Sequence, residues 1–258
     1  MRRTLSIAAA AGLLAAAIPA FAQGPYTPPP ASLPVVDGID FASGEPTGEK
    51  YRARFDECDA GNTCDGKPLR YSCRNDPNRN HALLRLKDRV VFYDAKMGLD
   101  ADGSPYARNT PGQTDQAETS FRYPLPGKPS VDADKVPYVA IPGGGFAGDL
   151  GVETGDVAAV VHRDKVVYAL VADIGPACKI GEGSIQLHER LGHKVCTARN
   201  VKGECTKLSD NSIERDVLYF VFPGSHKDIT SGLTPANVDE RIAATGQRLF
   251  DRLRNAGR

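Results

Sequence analysis

Six cysteines in two groups of three constrain this chain more than any other feature: Cys58, Cys64 and Cys73, then Cys178, Cys196 and Cys205. If all six pair, an odd number of bridges must join the groups, whichever of the 15 pairings is adopted. At least one bridge therefore ties residues 58–73 to the region of residues 178–205. Cys196 and Cys205 suit a local pair across TARNVKGE, which leaves Cys178 for the cross-link. Pairing is expected because the chain opens like an exported one. Arg2 and Arg3 precede an apolar run from Ile7 to Ile18, and Ala20-Phe21-Ala22 offers a small-residue cleavage site. Residues 1–22 thus read as a signal peptide and the protein as secreted, to the periplasm or beyond. The apolar run falls short of the about 20 residues of a membrane span, so no membrane partner is expected.

A zinc site built from Cys178, His188, His193 and Cys196 is the competing reading. The two histidines, five residues apart, share a helix face poorly, and paired cysteine knuckles are missing. No metal or other cofactor is expected. Once Arg2 and Arg3 are set aside, the 32 Lys and Arg fall just short of the 32 Asp and Glu. No basic run marks a nucleic-acid partner. A monomer is expected.

Residues 23–34, QGPYTPPPASLP, read as a proline-rich linker, and residues 35–258 as a single domain. A polar, disulfide-tied loop region is expected over residues 36–80. RVVFYDAKM, TSFRY, VPYVAIP, DVAAVV, KVVYALVAD and DVLYFVFPG read as strands, with a hairpin at His162-Arg163-Asp164. LDADGSPYARNTPGQTD reads as a long loop, and GGGFAGDLGVETG as a glycine-rich loop at the rim of a cleft. The latter lacks the Lys-Ser or Lys-Thr and the following helix of a phosphate cradle. Ser184 can cap a short helix, IQLHERL, stopped by Gly192. A terminal helix is predicted from Thr234-Pro235 to about Asn255, docking through Val238, Ile242, Leu249, Phe250 and Leu253. The fold class is mainly β with flanking helices.

Within VADIGPACKIGEGSIQLHERLG, Asp173 closes the apolar run VVYALVA, and Glu182 lies between Gly181 and Gly183. Burial at a strand end raises a carboxyl pKa, and glycines allow close approach of a ligand. Two carboxylates across a turn in an exported protein point to glycoside hydrolysis, in which one acid protonates and one base activates water. Asp100 and Asp102, in LDADG, lack the further ligands of a calcium loop. They read as a turn or as a cleft-lining pair that binds substrate. Phe146 is a candidate for stacking on sugar rings, and Tyr138 reads as core.

The string VYALVADIGPACKIGEGSIQLHERLG resembles the signature of glycoside hydrolase family 75, the fungal-type chitosanases. KMGLDADGSP, TSFRYP, VPYVAIP, GDVAAV and YFVFPGS resemble further segments of that family in order, over roughly residues 85–226. The resemblance implies a double-psi β-barrel-like core and an endo-chitosanase that hydrolyses β-1,4 glucosamine linkages of chitosan with inversion. The family's catalytic Asp and Glu fall on Asp173 and Glu182. Ile174 stands where many relatives carry Thr or Val. Glu182 is taken as the acid and Asp173 as the base, though desolvation of Asp173 would favour the reverse. The alternatives are a hydrolase of peptidoglycan or another cell-wall glycan, and a secreted carbohydrate-binding protein without turnover.

Overall fold

Long β-branched and aromatic runs need partners on both edges, and in this chain they find them by closing into a ring. The computed structural model describes residues 26–70, 73, 82–110, 115–209 and 212–257. The expected signal peptide lies outside the described residues. Six strands form the barrel: β1 (Val91–Asp100), β2 (Tyr138–Pro142), β3 (Val157–His162), β4 (Lys165–Gly175), β5 (Glu182–Ser184) and β6 (Ile213–Phe222). Their order is β1-β6-β3-β4-β2-β5, and β5 returns to β1. The β1–β5 and β2–β4 pairs are parallel and the other four antiparallel. This closed barrel is the core that the fold expectation called for.

Alternation along each strand sorts side chains between the inside and the outside of the ring. Tyr93, Ala95, Met97, Val139, Val160, Ala169, Val171 and Tyr219 fill the interior. Tyr93 and Tyr219 stack there with ring centroids 4.4 Å apart. Outside, helix α3 (Val238–Asn255) covers β3 and β4 with Val238, Ile242, Phe250 and Leu253. Full burial of each such side chain contributes about 1.5–3 kcal/mol. The expected helical face is present, but the helix begins at Val238 rather than Pro235, because Asn237 folds back to accept from the Thr234 amide.

The segment before the barrel departs from expectation. Helix α1 (Glu49–Gly61) stands where a loop was expected, burying Tyr51, Phe55, Cys58 and Asp59. The proline-rich stretch is not a free linker over its described part. Tyr26 packs on Phe41 and Phe92 and donates to Asp94, and a helical turn runs from Pro30 to Val36. The TSFRY segment makes only an isolated bridge, Arg122↔Ser130, and the LDADGSP loop contains a turn of helix over Pro105–Asn109. No helix among the described residues is long and apolar enough to cross a membrane.

The bridges are Cys58–Cys73, Cys64–Cys178 and Cys196–Cys205, which excludes the zinc reading. Cys64–Cys178 is the cross-link demanded by the three-plus-three split, and it spans 114 residues. A buried ion pair, Lys96 to Asp59, joins β1 to α1 beside it, and Lys96 also donates to the Cys73 carbonyl at 2.5 Å. Closing so long a loop removes more unfolded-state entropy than the nine-residue Cys196–Cys205 closure does. The double variant Cys64→Ser/Cys178→Ser should lose about 4–5 kcal/mol against about 2–3 for Cys196→Ser/Cys205→Ser. Calorimetry should therefore show the larger drop in Tm for the first pair, and an equal or smaller drop would reject the assignment.

Candidate active site

Asp173 and Glu182 meet across β2. Ala140 is the register partner of Asp173 on one side and of Glu182 on the other. Strand spacing of about 4.8 Å places the two α-carbons roughly 9–10 Å apart. The facing depends on one irregularity. Val139 pairs with Val171, but the next residue, Ala140, pairs with Asp173, so Ala172 is an extra residue in β4. Val167, Ala169 and Val171 point into the barrel, and strict alternation would send Asp173 inward after them. The bulge turns it to the outer face, where Glu182 and Ala140 lie.

Small residues floor this face. Gly98 is the β1 partner of Glu182, and Asp100 follows two residues on. A Cβ on Gly175 would stand 2.6 Å from Glu182 Oε2 and 3.7 Å from the Ala140 Cβ, so the Glu182 carboxylate occupies the space that glycine leaves. The glycines flanking Glu182 serve packing instead of ligand approach. Gly181 has φ +79°, and a Cβ there would lie 2.1 Å from the Lys96 carbonyl oxygen. Ser184 caps helix α2 (Ile185–Arg190) as expected, accepting from Leu187 N, and it also accepts from Tyr138 N and donates to Val136. Such a cap is worth about 1 kcal/mol, and here it also fixes β5 beside β2.

A cavity of about 330 Å³ opens over this floor, and Asp100, Asp102, Asp115, Asp173, Lys179 and Glu182 line it. Another cavity, of about 390 Å³, lies by the Cys196–Cys205 hairpin, but its one carboxylate, Glu189, is paired to Arg199. The chemistry therefore argues for the first.

Each carboxylate has distinct partners. Asp173 Oδ1 accepts from Ser120 N at 2.8 Å, from Ile174 N at 2.9 Å and from the Ser120 hydroxyl. Glu182 Oε1 lies 2.7 Å from Lys179 Nζ, with both side chains only 9% exposed. Asp100 Oδ1 accepts from Tyr138 Oη at 2.9 Å and from Asp102 N at 2.9 Å. Asp102 Oδ1 accepts from Gln116 N at 2.5 Å. Burial, then the charges of Glu182 and Asp173, hold the Asp100 carboxyl well above the usual range. Burial and the neighbouring Asp100 push Asp102 up to about 9.

Asp100 and Asp102 both line the cavity, and burial raises the pKa of each carboxyl. Together with Asp173 they bring oxygens within 4.8 Å of one another. The backbone amides and the Tyr138 and Ser120 hydroxyls already engage one oxygen of each carboxyl. Phe146 is a correction: it is wholly buried against Tyr51 and Phe55 and cannot offer a face to a sugar. Tyr138 is core, as expected, yet its hydroxyl serves Asp100. Sequence reasoning passed over Ser120 and Lys179, although both lie in segments that carried the resemblance. Lys179 stands at i−3 from Glu182, the one available signal.

These features describe a carboxylate-lined cavity on the outer face of a closed barrel. Residues 62–255 match the family described as fungal chitosanase of glycosyl hydrolase group 75. The chain belongs to that family; it is a glycoside hydrolase, a chitosanase, whose substrate is the polysaccharide chitosan. No curated protein matches the chain.

Two outcomes test this geometry. Gly175→Ala should displace the Glu182 carboxylate and cut kcat on chitosan by at least about tenfold with the fold intact, since the added carbon has no space. His188, buried on α2, donates through Nε2 to the Gly98 carbonyl at 3.2 Å, and its Nδ1 has no partner among the described residues. Burial lowers its pKa from 6.5 to about 3. The unfolded chain therefore binds a proton that the native state refuses, so this contribution to stability is present above pH about 6.5 and falls as pH drops below it. At pH 4 the loss is on the order of 3 kcal/mol. Asp100 and Asp102 act in the opposite sense, so comparison with His188→Gln isolates the histidine. Between pH 7 and 4 the variant should lose less stability than the parent; parallel unfolding curves would contradict this.

Proposed function

We propose that this chitosanase is exported and cleaves internal β-1,4 glucosamine linkages by single displacement, with Asp173 and Glu182 as its catalytic pair. The observation that carries the reading is the shared register partner. Both carboxylates flank Ala140 on one face of one sheet, over the 330 Å³ cavity. A backbone spacing of roughly 9–10 Å suits the about 6.5–9.5 Å between carboxyl groups that leaves room for a water in inverting enzymes. One carboxyl protonates the glycosidic oxygen as the C1–O bond breaks. The other takes a proton from water attacking C1 on the opposite face, so the new anomeric centre is α. Asp100 and Asp102, at the cavity wall, hydrogen-bond the bound sugar. Export rests on residues 1–22, with their basic start and A-x-A site.

The test is reducing-end release from soluble chitosan by Asp173→Asn and Glu182→Gln. Each should fall by about a hundred- to ten-thousand-fold, the usual contribution of a positioned acid or base. Proton NMR of the first products of the parent should show the α-anomer. Near-parental release by either variant would remove that residue from the pair, and initial β-anomer would replace inversion with retention.

A further inference from the structure

The two carboxylates differ sharply in their surroundings. Glu182 faces the ammonium of Lys179 at 2.7 Å, in a position nearly closed to water. Lys179 follows Cys178, which the bridge to Cys64 anchors, and its side chain lies over Gly98, the residue opposite Glu182 in β1. Asp173 faces acids instead. Its oxygens lie within 4.8 Å of those of Asp100 and Asp102, and it shares a side-chain hydrogen bond with Asp102.

We propose that Glu182 is the general base and Asp173 the general acid, with Lys179 the positioning residue that keeps Glu182 ionised and Asp102 the positioning residue that shares its proton with Asp173. This rests on the two-carboxylate reading above and assigns its roles. The ammonium of Lys179 is placed to offset a charge on Glu182, whereas Asp173 Oδ1 takes its hydrogen bonds from Ser120 and Ile174 and the carboxyl faces Asp102 on its other side. The other ionisable groups around the pair reinforce the contrast. Tyr93 and Asp100 face Glu182 from β1, while Tyr138 and Arg122 are the further groups near Asp173. Burial works against the charge of Lys179, but the charge and hydrogen bond of Glu182 outweigh it and hold its pKa above the ordinary value. His188, the remaining neighbour of Lys179, is neutral.

In the reaction, the Asp173 proton passes to the glycosidic oxygen, which leaves with the electron pair of the C1–O bond. Water forms the new C1–O bond and gives one proton to Glu182. After product release, Glu182 returns that proton to solvent, Asp173 regains one through its hydrogen bond with Asp102, and Asp102 takes its own back from solvent. The net change is hydrolysis, with both carboxyls restored.

Three measurements on the full chain decide the assignment. With chitosan, azide should restore activity to Glu182→Ala and leave Asp173→Ala inactive. With a 2,4-dinitrophenyl glycoside of a glucosamine oligomer, whose leaving group needs no proton, Asp173→Ala should keep most of the parental rate and Glu182→Ala should not. Lys179→Met should lower kcat at least about tenfold and move the acidic limb of kcat/KM upward by about one pH unit, while Lys179→Arg holds the limb in place. Azide rescue of Asp173→Ala, or an acidic limb unmoved in a folded Lys179→Met, would overturn the assignment. If Lys179→Met does not fold, the rescue pattern alone decides. Loss of activity in both alanine variants with the opposite rescue pattern overturns only the roles. Full activity in either overturns the two-carboxylate reading itself.

Discussion

The site depends on three residues. Strand β5, Glu182–Ser184, lies parallel to β1 on one edge and antiparallel to β2 on the other, and so closes the ring. Removing either pairing would leave open edges on β1 and β2, and Glu182 would lose its position opposite Ala140. Strand closure and the placement of Glu182 across from Asp173 are therefore one constraint. So short a strand makes few ladder hydrogen bonds, and its surroundings supply the rest. Ser184 bonds to three backbone groups, α2 packs behind it, and Cys178, near its entry, is bridged to Cys64.

Polar groups are buried here at a cost that their pairing offsets. Lys96 and Asp59 are enclosed together, as are Lys179 and Glu182. Such pairs contribute little net stability against an apolar replacement, but losing one partner strands a buried charge. The first pair holds the disulfide-bearing segment to β1, and the second sits in the wall of the carboxylate-lined cavity. The cluster of Asp100, Asp102 and Asp173 follows the opposite logic. Burial raises the pKa of two of the three acids, Asp100 and Asp102. One cavity thus holds a lysine-paired carboxylate and a cluster of carboxyls a few residues apart.

Much of this was legible in the chain. The parity of the cysteine groups required a bridge to the segment around Cys178, and Cys64 supplies it. Runs of β-branched and aromatic residues marked five of the six barrel strands; β5, three residues long, was too short to announce itself. Helix α1 was missed, although Tyr51, Phe55 and Cys58 stand at helical spacing, because the charged residues among them mask the pattern. Phe146 looked exposed within a glycine-rich loop, but one turn of helix directs its ring into the barrel end. Lys179 was visible only as a basic residue near Glu182.

Local chemistry is what the chain alone determined. It set the strands, the Ser184 cap, the parity of the disulfides and the two carboxylates in a motif that resembled a known family. Tertiary structure decided which way those carboxylates face and what surrounds them. A bulge at Ala172 reverses the facing of Asp173, and a register defined by three separate strands sets Glu182 across from it. Neither can be read from composition or period, because a one-residue shift in pairing moves a side chain to the other face of a sheet while leaving the sequence pattern unchanged.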